Sequence, residues 1–225
     1  MKKNEKIESY IDSLYLSFEN KFRDPQVIKN NFHIYLEYLK NNKIGTKKMP
    51  VLDIGCGRGE WLKELKKNKY IAFGIDNNNA MIAECKKNKL DTIKADLFTY
   101  LKKQKSDSLG AVTGFQIIEH LNFRELVILI AEVSRVLKKN GIVIFETPNP
   151  ESLYVASFSF YLDPTHIHPI PPPTLEFLLT FQGFSEIEII KLNPLNPKQY
   201  KLRKMFKDGF ARFYMEQDYA VIARK

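Results

Sequence analysis

Apolar positions recur first at helical intervals. Ile7, Ile11, Leu14 and Phe18 share one helical face. Ile28, Phe32, Tyr35 and Leu39 share another, with Asp24-Pro25 reading as N-cap and first-turn proline. Residues 1–44 are therefore expected to form a helical preface that packs on the remainder, 45–225. Past Met49-Pro50 the pattern changes to short apolar runs alternating with amphipathic stretches. Strands are expected at 51–54, 71–75, 91–94, 111–117 and 142–146. Helices are expected from Glu60, at 78–87, briefly at 97–102, and at 124–137, where Leu126, Ile130, Val133 and Leu137 line one face and Gly141 is the stop.

Strands that alternate with helices pair in parallel and are covered on both faces. A helix at 175–181 capped by Thr174, then strands at 186–190 and 219–223, add an antiparallel edge. The expected fold is α/β, Rossmann-like, with a mostly parallel seven-stranded sheet. Between these elements, 151–173 reads as an ordered loop or lid rich in aromatics, histidine and proline, and 191–214 as a basic aromatic insertion.

Composition narrows the class. The 225 residues are 44% apolar and 27% charged, with no apolar run near the roughly 20 residues of a membrane helix. Two cysteines, Cys56 and Cys85, are too few for a disulfide framework, and no apolar leader follows Met1, so a reducing cytoplasm is expected. A net charge of +9 admits an anionic partner. The densest basic stretch, 198–213, sets Lys201, Arg203, Lys204, Lys207 and Arg212 among aromatics, which suits an anionic membrane surface or a phosphorylated glycan; it has no recognised RNA-binding motif, and nucleic acid is not expected as partner.

The chemistry centres on Val51-Leu52-Asp53-Ile54-Gly55-Cys56-Gly57-Arg58-Gly59, a strand, a glycine turn and a helix start. Gly55 and Gly57 can take positive φ and let a flat ligand lie against the main chain. The spacing is G-x-G-x-G, unlike the G-x-G-x-x-G of dinucleotide binders, and Asp53 ahead of it suits a positively charged ligand group. Ligands of such sheets sit beyond the carboxyl ends of strands. There Asp76 can accept both hydroxyls of a ribose, Asp96 an adenine amine, and Leu97 or Met81 can cover the ring. Gln116 follows the fourth strand.

Five ordered motifs, VLDIGCGRG, GID, KADLF, FQIIEHL and GIVIFETPNP, together resemble the class I S-adenosylmethionine-dependent methyltransferases over about residues 49–150. The resemblance implies S-adenosylmethionine as cofactor. Asp53, Gly55 and Gly57 would then hold its methionine end, Asp76 its ribose, with Asn77 beside it, and Asp96 and Leu97 its adenine. Gln116 would lie near the methionine or the acceptor. Downstream, Glu146-Thr147-Pro148-Asn149-Pro150-Glu151-Ser152 and Phe160-Tyr161-Leu162-Asp163-Pro164-Thr165-His166 resemble the methyltransferase part of bacterial O-antigen chain terminators. That implies O-methylation of a surface glycan, or of its lipid-linked or nucleotide-linked precursor, on a terminal phosphate or a sugar hydroxyl. The chain carries no kinase motifs, which makes the hydroxyl an equal candidate. RNA, an unrelated small molecule, and donor binding without catalysis stand as alternatives.

A hydroxyl acceptor needs a base, for which His120, His166, His168 and Asp163 are candidates; an anionic phosphate needs only Arg or Lys to orient it. No metal is expected, since His166-x-His168 with Asp163 is a weak ligand set. Cys56 is expected as a small space-filler, Trp61 as helix-to-sheet packing, and Phe158, Phe160 and Tyr161 as lid core or as flanks of the acceptor.

Overall fold

The computed structural model describes residues 2–23, 25–194 and 216–225, with side chains from residue 6 and none described for 25–28. The expected N-cap Asp24 and the basic segment 198–213 lie outside them. In chain order the elements are α1 (Lys2–Phe22), α2 (Pro25–Asn41), β1 (Val51–Ile54), α3 (Glu60–Lys67), β2 (Ala72–Asp76), α4 (Asn79–Lys87), β3 (Thr92–Lys94), α5 (Leu97–Lys103) and β4 (Leu109–Phe115). There follow α6 (Phe123–Val136), β5 (Leu137–Pro148), α7 (Leu153–Ser157), α8 (Pro172–Phe181), β6 (Ser185–Pro194) and β7 (Glu216–Arg224), with 3-10 turns at Ile118–His120 and Ser159–Leu162. Among the described residues seven strands form one sheet in the order β3-β2-β1-β4-β5-β7-β6, the Rossmann-like α/β fold that the alternation predicts. No helix of the described residues is long and apolar enough to cross a membrane.

Two compact units divide the chain. The first comprises Met1–Thr113 and Arg135–Gly141, the second Gly114–Ser134 and Ile142–Lys225. In the first, β1 pairs in parallel with β2 and β4, and β2 with β3. Every residue of β1 is buried, as a strand covered on both faces must be. The helical preface packs here too. Trp61 on α3 meets Phe32 and Tyr35 of α2, with ring centroids 4.9 and 6.1 Å apart, so it joins α3 to α2. From α1, Asp12 Oδ2 accepts hydrogen bonds from the Asn79 backbone N–H (3.0 Å) and side-chain amide (2.7 Å). Its carboxylate thus faces the positive end of α4.

Gly141 is not a helix stop. The helix gives way directly to β5 at Leu137, the left-handed residue is Asn140 (φ 64°), and Gly141 lies within the strand. A Cβ on Gly141 would come within 2.8 Å of the Lys138 carbonyl and 3.0 Å of the Gly110 carbonyl, so close backbone approach explains the glycine.

In the second unit β7 runs antiparallel between β5 and β6. α8 begins at Pro172, ahead of the expected Thr174 cap, because proline is well suited to a first helical turn where its missing N–H costs nothing. The segment expected as a lid is built of α7, a 3-10 turn and short links. It is tied down at both ends: Asn149 donates to the Glu216 carbonyl (2.9 Å), and the Tyr219 hydroxyl donates to the Ile170 carbonyl (2.9 Å).

Candidate functional site

In the first unit the glycine turn leaves β1 with Gly55, Gly57 and Gly59 all left-handed, at φ 60°, 50° and 75°. Asp76, half-buried at the end of β2, fixes this turn: one carboxylate oxygen accepts the Gly57 N–H (2.9 Å) and the other the Asn78 N–H (2.8 Å). Burial still holds the Asp76 carboxyl above its ordinary range, those two hydrogen bonds offsetting part of the effect and the nearby Asp12 and Glu19 adding to it. Asp53 is buried at the heart of β1, where its Oδ1 accepts the Thr113 hydroxyl across the strand pair at 2.8 Å. Desolvation raises it to about 8, against the Thr113 hydrogen bond and with help from Asp76 and Glu60.

The remaining donor-side candidates are spread over two helix starts. Asn78 caps α4 through its side chain, Asn77 beside it is exposed, and Met81 is buried beneath the helix. Asp96 is exposed and caps α5; hydrogen bonds from the Thr99 side chain and backbone hold its carboxyl below the ordinary range. Leu97 is half-buried behind it. Cys56 is buried as expected of a space-filler, and a hydrogen bond with Cys85, with burial, keeps its thiol protonated.

These residues fit S-adenosylmethionine. A Cβ on Gly57 would meet no heavy atom within 4 Å, so open space lies against the main chain there. Acidic side chains stand on either side of the turn, at the ends of β1 and β2. Asp76 offers a carboxylate acceptor for ribose hydroxyls, and Asp53, which burial holds protonated near neutral pH, would supply a negative charge to an ammonium or sulfonium that drew its proton off. When bound, S-adenosylmethionine supplies an electrophilic methyl group on a positively charged sulfur.

Gln116 falls in the second unit. Its φ of 55° is rare for a residue with a side chain, and two bonds hold it: its N–H donates to the Glu146 carbonyl (2.7 Å) and its amide Nε2 to Asp218 Oδ1 (2.9 Å). The strained turn redirects the chain from β4 into Ile118–His120, where Glu119 becomes fully buried.

Three of the four base candidates gather around Glu119. His120 and His166 stack edge to face, with centroids 4.7 Å apart. His166 Nε2 lies 3.8 Å from Glu119 Oε1 and 3.9 Å from Asp163 Oδ2. The neighbouring hydrogen bonds decide both tautomers. His166 Nδ1 lies 2.7 Å from the Phe160 carbonyl, which can only accept, so Nδ1 carries the proton. The Thr165 hydroxyl lies 2.6 Å from Asp163 Oδ1 and 2.9 Å from His120 Nδ1. A carboxylate can only accept, so the hydroxyl donates to Asp163 and accepts from His120 Nδ1–H. On both imidazoles Nδ1 therefore carries a proton, and in the neutral form Nε2 is the basic atom.

Sequence reasoning missed Glu119, together with Thr147, whose hydroxyl donates to Glu119 Oε2 at 2.8 Å, and Thr165. The signal was a lone acid in the apolar run Ile117-Ile118-Glu119-His120-Leu121. His168 is half-buried outside this cluster. Phe160 is buried against the His166 ring (4.6 Å), while Phe158 and Tyr161 are exposed.

The sequence pattern of a methyltransferase-domain family matches residues 24–189. A crystal structure of a SAM-dependent methyltransferase from Archaeoglobus fulgidus is 32% identical, covers 94% of this chain and 99% of its own, and superposes with a TM-score of 0.83. The ubiquinone biosynthesis O-methyltransferase of Pelagibacter ubique is 33% identical over 136 residues, 53% of this chain and 55% of that protein. The chain spans about half the length of the curated relatives it matches. At 17% identity and a TM-score of 0.63, phosphoethanolamine N-methyltransferase 2 of Haemonchus contortus, solved in complex with S-adenosyl-L-methionine, shares the fold over 84% of this chain and 51% of its own. With the family pattern spanning both the glycine turn and the Glu119 cluster, the chain belongs to the methyltransferase-domain family and is an enzyme that uses S-adenosylmethionine.

Proposed function

We propose that this enzyme methylates a hydroxyl oxygen, and that the hydroxyl belongs to a sugar of a bacterial surface polysaccharide or of its lipid-linked or nucleotide-linked precursor. The observation that carries O-methylation is the fixed Nδ1–H tautomer of His120 and His166. With S-adenosylmethionine bound, a neutral His120 or His166 would take the acceptor's proton at Nε2 as the methyl group passed from sulfur to the acceptor oxygen, which would leave a methyl ether, an imidazolium and a neutral thioether. Two carboxylates beside the imidazoles favour a neutral hydroxyl over an anionic phosphate, which they would repel. The glycan acceptor rests on the sequence likeness of 146–166. By its sequence, the basic stretch 198–213 suits the anionic headgroup of a lipid-linked acceptor. Cys56 and Cys85 are both free, as suits a reducing cytoplasm.

The relationship to ubiquinone biosynthesis O-methyltransferases favours a second reading, a phenolic hydroxyl, which the same base chemistry serves. One experiment separates them. The enzyme is supplied with methyl-labelled donor, polysaccharide extract, quinone-containing lipid extract and RNA. Label on a sugar oxygen, in the polysaccharide or in a lipid-linked glycan, is expected; label on a phenolic oxygen installs the phenolic reading, and label on phosphate or RNA overturns both.

A further inference from the structure

One ligand atom from each of Glu119, His120 and His166 lies within 4.8 Å of the other two. The approach of His166 Nε2 to Glu119 Oε1, 3.8 Å, exceeds the roughly 2.7–3.2 Å of a hydrogen bond. It is nearer the separation of two ligands on one cation, on the order of 3–3.5 Å when each bond is about 2.0–2.2 Å long. A contraction of a few tenths of an ångström would bring this pair to that separation, and the third atom, within 4.8 Å of the others, would move in by up to about 1.5 Å.

The surroundings of these groups are those of a ligand set. A metal-binding histidine gives one nitrogen to the ion and donates its other N–H to a carbonyl or to a group backed by a carboxylate, which fixes the ring. His166 does so to the Phe160 carbonyl, and His120 does so to Thr165, itself bonded to Asp163. The carboxylate is oriented in the same way, Glu119 Oε2 accepting the Thr147 hydroxyl. Four elements thus hold the cluster: the 3-10 turn after β4, the end of β5, and both the 3-10 turn and the loop before α8.

We propose that Glu119, His120 and His166 bind a divalent cation of the zinc, cobalt or iron(II) kind. Two imidazoles with one carboxylate select such ions over magnesium, which prefers oxygen ligands throughout. Three protein ligands leave coordination positions open to an exchangeable oxygen ligand, water or the acceptor's hydroxyl. The inference rests on the hydroxyl-acceptor reading for the use of the cation, which would take up the Nε2 lone pairs and, in place of a histidine base, acidify the acceptor hydroxyl so that its proton passes to water; its binding stands independently.

The test is titration of the chelator-treated protein with Co2+, followed by visible absorption and by metal analysis after gel filtration. One equivalent per chain is expected. Glu119→Gln, His120→Asn and His166→Asn should each abolish stoichiometric binding, Thr165→Val should weaken it roughly 10-fold, and His168→Asn should leave it unchanged. Thermal stabilisation by S-adenosylhomocysteine, measured on every variant, reports that each is folded with its donor site intact. No saturable Co2+ binding by the wild type, or equal binding by all three ligand variants, overturns the site. Cation binding without methyl transfer to any hydroxyl overturns the function proposed above and leaves the site standing.

Discussion

Asp53 holds a carboxyl inside a strand, and its elevation by burial to about 8 against an ordinary 3.8 has consequences in two experiments. A folded state that keeps a proton released by the unfolded chain loses stability as pH rises. The contribution is whole below 3.8, declines by about 1.4 kcal/mol per pH unit across the window, and is gone above about 8. Asp53→Asn, neutral throughout, lacks this decline, so denaturant titrations at several pH values should show the wild type losing ground to it from pH 4 to 8; parallel profiles would refute the shift. A donor carrying ammonium and sulfonium charge should draw the proton off. Calorimetry at pH 7 in buffers of different ionisation enthalpy should then record release of up to about one proton on binding to the wild type and none with Asp53→Asn.

At the scale of elements, α1 shows where pattern reading reaches its limit. Its helical period was legible from Ile7, Ile11, Leu14 and Phe18, yet Ile7, Ile11 and Leu14 are exposed, and what docks the helix is polar: Asp12 on Asn78 and Asn79, and Asn20 on Arg58 of the glycine turn (2.7 Å). Hydrophobic periodicity predicts that a helix forms but carries no information about a carboxylate meeting another helix's N-terminus. Asp12→Ala should cost on the order of 1 kcal/mol by removing the two bonds from Asn79 to its carboxylate, lowering Tm by roughly 2–4 °C. Hydrogen exchange should accelerate in α1 and at Asn79; unchanged protection there would show that packing alone holds the helix. The Gly141 stop failed for a related reason. Glycine marks a helix end or a close backbone approach equally well, and only the carbonyls of Lys138 and Gly110 tell which.

Over the whole molecule, what the sequence made legible divides along the two units. The placement of the donor-side candidates was readable because they lie at fixed places, one strand end after another, and Gly57 is found bonded to Asp76 and Asp53 to Thr113. The Glu119 cluster was only partly readable. His120, Asp163 and His166 stood out as polar residues in an apolar setting, but Glu119 reads as one more residue of the run until the left-handed Gln116 turns it inward, and a positive φ on glutamine has no sequence signature. Chemistry should divide in the same way. S-adenosylhomocysteine at 100 times its Kd should add about 2.7 kcal/mol of stability to the wild type and equally to Glu119→Gln and His166→Asn. Methyl transfer to the acceptor should fall at least about 100-fold in both variants, the scale of a lost proton acceptor or of the ligand that replaces it. A variant that keeps its turnover would remove the cluster from the reaction, and one that loses donor stabilisation with turnover would show that Glu119 or His166 serves the donor instead.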